Sequence, residues 1–306
     1  MMKDFLEIQD FTGEQLVALL DRAIADKRRF LAGALPATLA RKTLAMIFEK
    51  PSLRTRVSFE AAMAHLGGHA LYLAPADIGL GTREPVQDVA RVLAGMCDGI
   101  MARTFSHQVV RQLADHAAVP VINALTDWSH PCQAMADVLT IKEHFDDIKG
   151  IKIAFIGDGN NVARSLAHAC AKLGMQMVVA TPAGYELDAE SLQRANGISA
   201  DCVRQTNDPH DAVADADVIY TDTWISMGQE NEKQKRQADF AAYQVNAELV
   251  KKAPENARIM HCLPAYRGLE ITDDIVESPN SIIFDQAENR LHFQRALLKK
   301  LMSQPS

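Results

Sequence analysis

The sequence predicts an α/β protein with two domains, each a parallel β-sheet flanked by helices. Short apolar runs of strand length alternate with helix-like segments along almost the whole chain. The apolar runs are continuous, which is typical of parallel strands that are covered on both faces. A chain of 306 residues is also long enough for two domains of ordinary size.

The predicted strands form two sets, separated by a polar stretch around residues 142–150. Amphipathic segments such as 84–96 and 162–173 predict helices that cover the sheets. The strands are predicted at 43–48, 69–73, 99–103 and 119–122 in the first set, and at 151–156, 176–180, 218–221, 258–261 and 281–284 in the second.

We expect the first domain to span residues 1–145 and the second to span 146–286. Residues 285–302 predict a final helix, with Asp285 as its N-cap and Glu288 three residues later. Its buried stripe is expected to contain Leu291, Leu297, Leu298 and Leu301. We expect this helix, at about residues 287–306, to pack on the first domain.

The composition limits the possible partners and the compartment. A formal net charge of -7 argues against nucleic acid or an anionic membrane as the main partner. We expect no signal peptide, because residues 1–5, Met-Met-Lys-Asp-Phe, do not begin an apolar core. We expect no membrane span, because no apolar run approaches about 18 residues. The five cysteines are odd in number and widely spaced, so we expect reduced thiols in a cytoplasmic protein.

Residues 49–56, Glu-Lys-Pro-Ser-Leu-Arg-Thr-Arg, join the strand at 43–48 to a helix predicted at 57–66. Two arginines, two hydroxyls and a helix N-terminus converge there, which suits a compact anion such as phosphate. The alternative is a helix cap beside a surface charge. The glycine-rich loop of nucleoside triphosphate sites is absent from this segment.

Four further motifs carry polar groups that could bind a small ligand. In residues 130–133, His-Pro-Cys-Gln, an imidazole and a carboxamide could hold the oxygen and nitrogen of one amide-like group. Residues 222–230 offer Asp222 and Ser226 to an ammonium, although an ordinary loop is also possible. In residues 261–264, His-Cys-Leu-Pro, the cysteine is more often a packing residue than a chemical one. Residues 288–290, Glu-Asn-Arg, could equally be a solvated charge cluster.

The chemistry-bearing residues follow the predicted strands at the points where the strands end. Open parallel sheets bind ligands outside the carboxyl ends of their strands. We therefore expect an active site in one cleft between the two sheets. The residues concerned are Ser52 to Thr55, Arg103, 157–161, Asp222, and His261 with Cys262.

Taken together and in this order, the motifs Ser-x-Arg-Thr-Arg, His-Pro-Cys-Gln, Asp-x-x-x-Ser-Met-Gly and His-Cys-Leu-Pro resemble the ornithine carbamoyltransferases. The resemblance extends over residues 48–292. The first motif indicates only a carbamoyltransferase. The two cysteine motifs and the Ser-Met-Gly loop resemble the ornithine branch of the aspartate/ornithine superfamily, because an aspartate site would need cations where this chain has Asp222.

The resemblance implies transfer of a carbamoyl group from carbamoyl phosphate to the δ-amino group of L-ornithine, in arginine biosynthesis. It implies a homotrimer, with no cofactor and no metal. Arg103 would bridge phosphate and carbonyl oxygen, His130 would polarise that oxygen, and Cys262 would contact the amine as the third catalytic residue without bonding to it covalently. By matching position, carbamoyl phosphate would be bound by Ser52, Leu53, Arg54, Thr55, Arg103, His130, Gln133, Cys262, Leu263 and Arg290, and ornithine by Asn161, Asp222, Ser226 and Met227.

Two positions depart from the pattern that this resemblance implies. Many ornithine enzymes have Thr where this chain has Leu53, and many have Gln at the position of Gly79. An apolar side chain at Leu53 is compatible with binding through the backbone N–H. Both departures leave room for an acceptor such as N-acetyl- or N-succinyl-ornithine.

Three other functions remain open from the residues alone. Residues 157–162 begin like a dinucleotide fingerprint but lack its third glycine. His130, Cys132, His261 and Cys262 could supply four zinc ligands, although their spacing is unusual for zinc. A non-catalytic sensor of a phosphate metabolite is the remaining alternative.

Overall fold

The structure is a computed structural model, which describes residues 3–225 and 230–303. The chain divides into two compact units. The first unit contains the residues up to Leu139 together with those from Glu288 onward, and the second is Thr140–Ala287. No helix of the described ranges is both long and apolar enough to cross a membrane.

The first unit is built on a parallel sheet in the order β2-β1-β3-β4. Three predicted strands have the predicted bounds, and the fourth lies a few residues later than predicted because it starts after Pro120. The strands are β1 (Thr43–Phe48), β2 (His69–Leu73), β3 (Gly99–Arg103) and β4 (Val121–Leu125). The buried side chains of β1, β3 and β4 form the core of this unit with those of the covering helices.

The helices of the first unit differ from the prediction at one important place. The helix after β1 begins at Leu53 and not at residue 57, because Ser52 is its N-cap. Arg54 and Thr55 therefore lie in the first helical turn. The helices are α1 (Gly13–Leu31), α2 (Leu53–His65), α3 (Pro75–Ile78), α4 (Val86–Met96), α5 (His107–His116) and α6 (Pro131–His144), the last of which continues into the second unit.

The second unit is built on a parallel sheet in the order β7-β6-β5-β8-β9. The short edge strand β7 is absent from the prediction, because Arg204 and Gln205 interrupt the apolar pattern in its four residues. The strands are β5 (Lys152–Ile156), β6 (Gln176–Ala180), β7 (Val203–Thr206), β8 (Val218–Thr221) and β9 (Arg258–His261). The helices are α7 (Asn161–Leu173), α8 (Ala189–Ile198), α9 (Pro209–Val213), α10 (Lys233–Asp239), α11 (Ala247–Val250) and α12 (Asp273–Val276).

The predicted strand at 281–284 is wrong. Only Ser281 pairs, in an isolated bridge with Ile259, and the last helix, α13 (Ile283–Met302), begins two residues later. Asp285 is consequently not the N-cap but lies in the first turn, where its carboxylate accepts a hydrogen bond from His144 at 2.9 Å.

The part of α13 that belongs to the first unit is anchored there by side-chain contacts. The ring of Phe293 lies 5.8 Å from that of Phe5. Nζ of Lys299 donates to both carboxylate oxygens of Asp26 at 3.1 Å. These contacts fix the register of the helix that carries Arg290.

Candidate active site

The first group of candidate residues lies where the strand order of the first sheet reverses, between β1 and β3. In α/β sheets this switch point is where ligands bind. Phe48 at the end of β1 pairs with Arg103 at the end of β3. The segments that follow these strands therefore begin side by side, and β4, which leads to His130, pairs with β3.

The start of α2 supplies donors at this edge of the sheet. Oγ of Ser52 accepts the N–H of Thr55 at 3.3 Å and donates to Oγ1 of Thr55 at 3.1 Å. Nη2 of Arg290 also donates to that Oγ1, at 3.1 Å. Since Oγ1 of Thr55 then accepts two hydrogen bonds, its own O–H is the donor left for a ligand.

Gln133 is oriented by partners on both sides of its amide. Its Oε1 accepts a hydrogen bond from Nη1 of Arg290 at 2.8 Å. Its Nε2 donates to Oδ1 of Asp137 at 2.8 Å, one helical turn later. The amide oxygen of Gln133 therefore faces the arginines, where it could also accept from a ligand NH2 group.

Mutual repulsion and burial shift the pKa values of these cations. Burial lowers the pKa of Arg103 to about 10, with further contributions from Arg290 and Arg54. Burial, Arg290 and Arg103 together lower the pKa of His130 well below 6.5. The group therefore presents guanidinium charges beside a neutral imidazole, which suits an anion with a polarisable carbonyl.

Arg56 and Cys132 are not part of this group. Nε of Arg56 donates to Oε1 of Glu60 at 3.0 Å, and its guanidinium lies 4.2 Å from the centre of the Tyr72 ring. Burial raises the pKa of Cys132 to about 12, and its Sγ donates to the carbonyl of Asn123. The cysteine of the His-Pro-Cys-Gln motif is thus a packing residue.

The two departures from the carbamoyltransferase pattern have different consequences. The side chain of Leu53 is 74% exposed. Its backbone N–H, at the first position of α2, is therefore the group that could bind a ligand. Gly79 has φ +59°, and a Cβ there would lie 2.7 Å from Cβ of Arg83. The turn 79–83 therefore has a conformation that suits glycine and would strain a glutamine.

The second group lies at the switch point of the second sheet, between β5 and β8. Oδ1 of Asp222, directly after β8, accepts the S–H of Cys262 at 2.9 Å and the N–H of Thr223 at 2.7 Å. Its Oδ2 accepts from Nδ2 of Asn160 at 2.9 Å. A carboxylate has about four acceptor positions, so with three filled by described residues one remains for a cation, on Oδ2.

Asn160 lies in the predicted site segment 157–161, but its contact with Asp222 was not predicted. It caps α7, with Oδ1 accepting the N–H groups of Val162 at 2.9 Å and Ala163 at 3.1 Å. Asn161, the predicted ligand, is half-buried at the first position of that helix. An asparagine just before a predicted helix is the cap signal that could have identified Asn160.

The N-cap of α7 also argues against a dinucleotide-binding site. A pyrophosphate would use the first N–H groups of the helix after β5, and Asn160 already accepts two of them. Ser226 and Met227, the other two predicted ornithine ligands, lie outside the described residues.

The segment after β9 is fixed by a buried histidine. Nε2 of His261 is 3.1 Å from Oε1 of Glu270, and Nδ1 accepts the N–H of Leu263 at 2.9 Å. Because a carboxylate only accepts, the proton of the neutral ring is on Nε2. Leu263 has φ +57°, a strained value for leucine, so this hydrogen bond helps to define the turn beside Cys262.

These contacts do not suit the proposed zinc site. The ligand atoms of Asp222, His261 and Cys262 lie within 4.8 Å of one another. Both ring nitrogens of His261 are nevertheless used by protein hydrogen bonds, and the thiol of Cys262 donates to Asp222. A metal ion would have to break two of these contacts.

Arg236 holds the segments on both sides of residues 226–229. Its Nη1 donates to Oδ2 of Asp158 at 2.7 Å and to the carbonyl of Trp224 at 3.0 Å. Its Nε donates to Glu232 at 3.0 Å. Arg236 is not among the predicted site residues, because one arginine in a charged helix gives no local signal.

Comparison with known proteins agrees with this arrangement. The family description "Aspartate/ornithine carbamoyltransferase, carbamoyl-P binding domain" matches residues 3–143, and the Asp/Orn binding domain of the same family matches residues 149–301. The anabolic ornithine carbamoyltransferase of Pyrococcus furiosus is 53% identical over 303 residues, which cover 98% of this chain and 96% of that protein. The Bacillus subtilis ornithine carbamoyltransferase is 52% identical over 303 residues, with 98% and 94% covered.

Solved structures give the same result at the level of the fold. The Pyrococcus furiosus ornithine carbamoyltransferase superposes with a TM-score of 0.96 at 52% identity, covering 99% of this chain and 98% of that one. The Thermus thermophilus ornithine carbamoyltransferase superposes with a TM-score of 0.90 at 45% identity, covering 99% of both chains.

Proposed function

The chain belongs to the aspartate/ornithine carbamoyltransferase family, and we infer from its two groups of polar residues how it carries out the reaction. It transfers the carbamoyl group of carbamoyl phosphate to the δ-amino group of L-ornithine, giving L-citrulline and phosphate. The observation that carries the choice of acceptor is Asp222, a buried carboxylate with one acceptor position left by the described residues for the α-ammonium of an amino acid.

We propose that the first unit binds carbamoyl phosphate. The phosphate would lie at the start of α2, where Ser52, the backbone N–H of Leu53, Arg54 and Thr55 are its donors. This placement is supported by the cap geometry and by the cations that surround it. Arg290 would complete the phosphate site from α13.

The carbamoyl group would be oriented by its oxygen and its nitrogen separately. Arg103 and the neutral imidazole of His130 would donate to the carbonyl oxygen, on which negative charge grows during attack. One such donor is worth about 3–4 kcal/mol of the activation barrier. Oε1 of Gln133 and the carbonyl of Leu263 would accept from the NH2 group, which distinguishes a carbamoyl group from an acetyl group.

We propose that the second unit binds ornithine. Asp222 would accept the α-ammonium, while Asn161, Ser226 and Met227 would bind the α-amino and α-carboxylate groups. Asn160 holds Asp222 in place through its side-chain amide. An N-acylated ornithine has no α-ammonium and would leave the charge of Asp222 without a partner.

The chemical step needs a neutral δ-amine, because an ammonium has no electron pair with which to attack. Its solution pKa is near that of lysine, about 10, and nearby cations favour the neutral form. The nitrogen forms a bond to the carbonyl carbon, the bond from that carbon to the phosphate oxygen breaks, and the phosphate takes an amine proton. Cys262 donates its S–H to Asp222 in the structure, which supports a role in contacting the amine and not in forming a covalent intermediate.

The direct test is citrulline formation from carbamoyl phosphate and L-ornithine. N-acetyl-ornithine, N-succinyl-ornithine, putrescine and aspartate should be run in parallel. We expect L-ornithine to be preferred over all four by kcat/KM. A preference for either acylated substrate would show that Asp222 does not select the acceptor, and no carbamoylated product from any amine would favour a sensor.

We also propose the homotrimer that the resemblance implies, and a cytoplasmic location for a chain whose five cysteines are all reduced. The trimer is supported by an apolar surface in the first unit. Leu53 is 74% exposed, Val57 one turn later is 53% exposed, and Leu71 on the edge strand β2 is 39% exposed. Sedimentation equilibrium should give the mass of three chains, and the mass of one chain at micromolar concentration would contradict the proposal.

A further inference from the structure

The N-terminal segment of the first unit carries a buried carboxylate to the turn that precedes His130. Phe5 extends the sheet beside β4, since its N–H donates to the carbonyl of Val121 and its carbonyl accepts the N–H of Asn123, both at 2.8 Å. Two residues later, the side chain of Glu7 is only 5% exposed. A charge buried this deeply requires strong hydrogen-bond partners.

The partners of Glu7 come from α5 and from the turn after β4. Oε1 faces Nε2 of His107 at 3.1 Å and also accepts from Arg111. Oε2 accepts the indole N–H of Trp128 at 2.9 Å. Burial raises the pKa of Glu7, but these hydrogen bonds and the positive charges outweigh it and lower the pKa to about 2. Glu7 is therefore ionised at neutral pH and can only accept.

A first chain of hydrogen bonds leads from Glu7 through His107 to the residue before His130. Because Glu7 only accepts, Nε2 of His107 carries a proton. Nδ1 of the same ring lies 2.9 Å from Oγ1 of Thr126. The lone pairs of that hydroxyl then accept the N–H of Ser129 at 3.1 Å.

Glu7 thus fixes the ring of His107 against the hydroxyl of Thr126. The same hydroxyl oxygen lies 3.3 Å from the carbonyl oxygen of Ser129. That carbonyl already accepts the N–H of Thr126 at 2.9 Å and Nδ2 of Asn123 at 3.3 Å. Both the N–H and the carbonyl of Ser129 are therefore held by hydrogen bonds from Asn123 and Thr126 or to Thr126.

A second connection is direct. Trp128 is two residues before His130, and its indole N–H ends on Oε2 of Glu7. The turn 126–129 is therefore held at its start by Thr126 and near its end by Trp128, and both contacts depend on one carboxylate. The imidazole of His130 follows this turn at the entrance to α6.

We propose that Glu7, acting through His107 and Trp128, is a positioning residue for His130. The inference rests on the role of His130 proposed above, since a rigid turn matters to the reaction only if the imidazole donates to the carbonyl oxygen. Glu7 does not touch the substrates. Glu7 instead fixes the direction in which the imidazole N–H of His130 points.

The test compares Glu7→Gln and Trp128→Phe with a matched control. Trp128→Phe removes one N–H and keeps an aromatic ring, so it remains informative if Glu7→Gln folds poorly. The control is Asp4→Asn, because Asp4 anchors the same segment by accepting the N–H of Val121 at 2.8 Å, at the far end of β4 from the turn. We expect kcat to fall on the order of tenfold or more in both test variants, with KM for ornithine unchanged and with the control at wild-type kcat.

Two further measurements separate positioning from simple stabilisation. The ¹⁵N shifts of His107 should show a proton on Nε2 in the wild type, and they should change in Glu7→Gln. In a His130→Asn background, Glu7→Gln should lower kcat no further. An additive loss in that background, or an unchanged kcat in both test variants, would overturn the inference while leaving the reaction intact. An unchanged kcat in His130→Asn alone would instead refute the proposed role of His130.

Discussion

His130 is kept neutral by its surroundings, and this affects both its chemistry and the stability of the fold. Burial is the largest cause, followed by the charges of Arg290 and Arg103. A neutral imidazole can donate one N–H to a developing oxyanion throughout the pH range in which the amine is reactive. It adds no further positive charge to a site that already holds three guanidinium groups.

The lowered pKa of His130 predicts a change in how stability depends on pH. The unfolded histidine titrates near 6.5 and the folded one well below it, so the unfolded state binds the proton first as pH falls. His130 therefore does not reduce the free energy of unfolding above pH 6.5. Below that pH it reduces the free energy of unfolding by at most about 1.4 kcal/mol per pH unit.

We expect His130→Asn to lose less stability than the wild type between pH 7.5 and 5.0. Urea unfolding at both pH values measures the difference. His65 and His292 also have lowered pKa values, but they are present in both proteins and cancel in the comparison. Equal losses in the two proteins would mean that His130 is not held neutral by the fold.

Local patterns identified the residues whose roles depend on nearby chain segments. Ser52, Arg103, His130 and Asp222 could be placed because each follows a recognisable strand. The contact between Arg290 and Gln133 joins residues 157 positions apart, and no periodicity or spacing reports such a contact. The contact of Asn160 with Asp222 was likewise not predicted, because it joins residues 62 positions apart.

The strands of the molecule were predicted well where a continuous apolar run marks them and poorly where polar residues interrupt a short strand. Continuous apolar runs gave the central strands their bounds, because a strand covered on both faces has no polar positions. The edge strand β7 has exposed polar residues, and the run at 281–284 is apolar because it starts a buried helix. Periodicity cannot separate these cases in so few residues.

In the loop between β5 and α7, we expect a methyl group added at Gly159 to destabilise the fold. A Cβ on Gly159 would lie 2.3 Å from the backbone N of Leu187 and 2.4 Å from the carbonyl carbon of Glu186. Gly159→Ala should therefore lower the free energy of unfolding by about 1–3 kcal/mol. KM for ornithine should rise as well, because Asn160 is the next residue.

Gly197→Ala is the matched control for this loop. Gly197 lies in α8, and no atom of the described residues outside its own helix turn lies within 4 Å of where a Cβ would stand. Alanine should therefore stabilise the helix by about 0.5–1 kcal/mol. Denaturant unfolding followed by circular dichroism measures both variants. A neutral Gly159→Ala would show that the backbone around 185–187 moves aside easily, contrary to this account.

At the scale of the whole molecule, the same arrangement occurs twice. Each unit places its polar residues at the switch point of its own parallel sheet, and the two groups have opposite charge. Arginines gather at the first sheet in a chain whose formal net charge is -7, and a carboxylate held by neutral donors lies at the second. Composition therefore limited the partners in general but could not reveal either local charge.

The central claim is that the first unit binds the phosphate of carbamoyl phosphate and the second binds the α-amino group of ornithine, and paired KM measurements on Arg54→Ala and Asp222→Asn test it most directly. We expect Arg54→Ala to raise KM for carbamoyl phosphate by about 10- to 100-fold, since a charge-assisted hydrogen bond contributes about 1.5–3 kcal/mol. Asp222→Asn should raise KM for ornithine, and Arg56→Ala, whose guanidinium pairs with Glu60, should change neither. If both substitutions instead raised KM for the same substrate, or Arg54→Ala left KM for carbamoyl phosphate unchanged, the division of the site between the two units would be wrong.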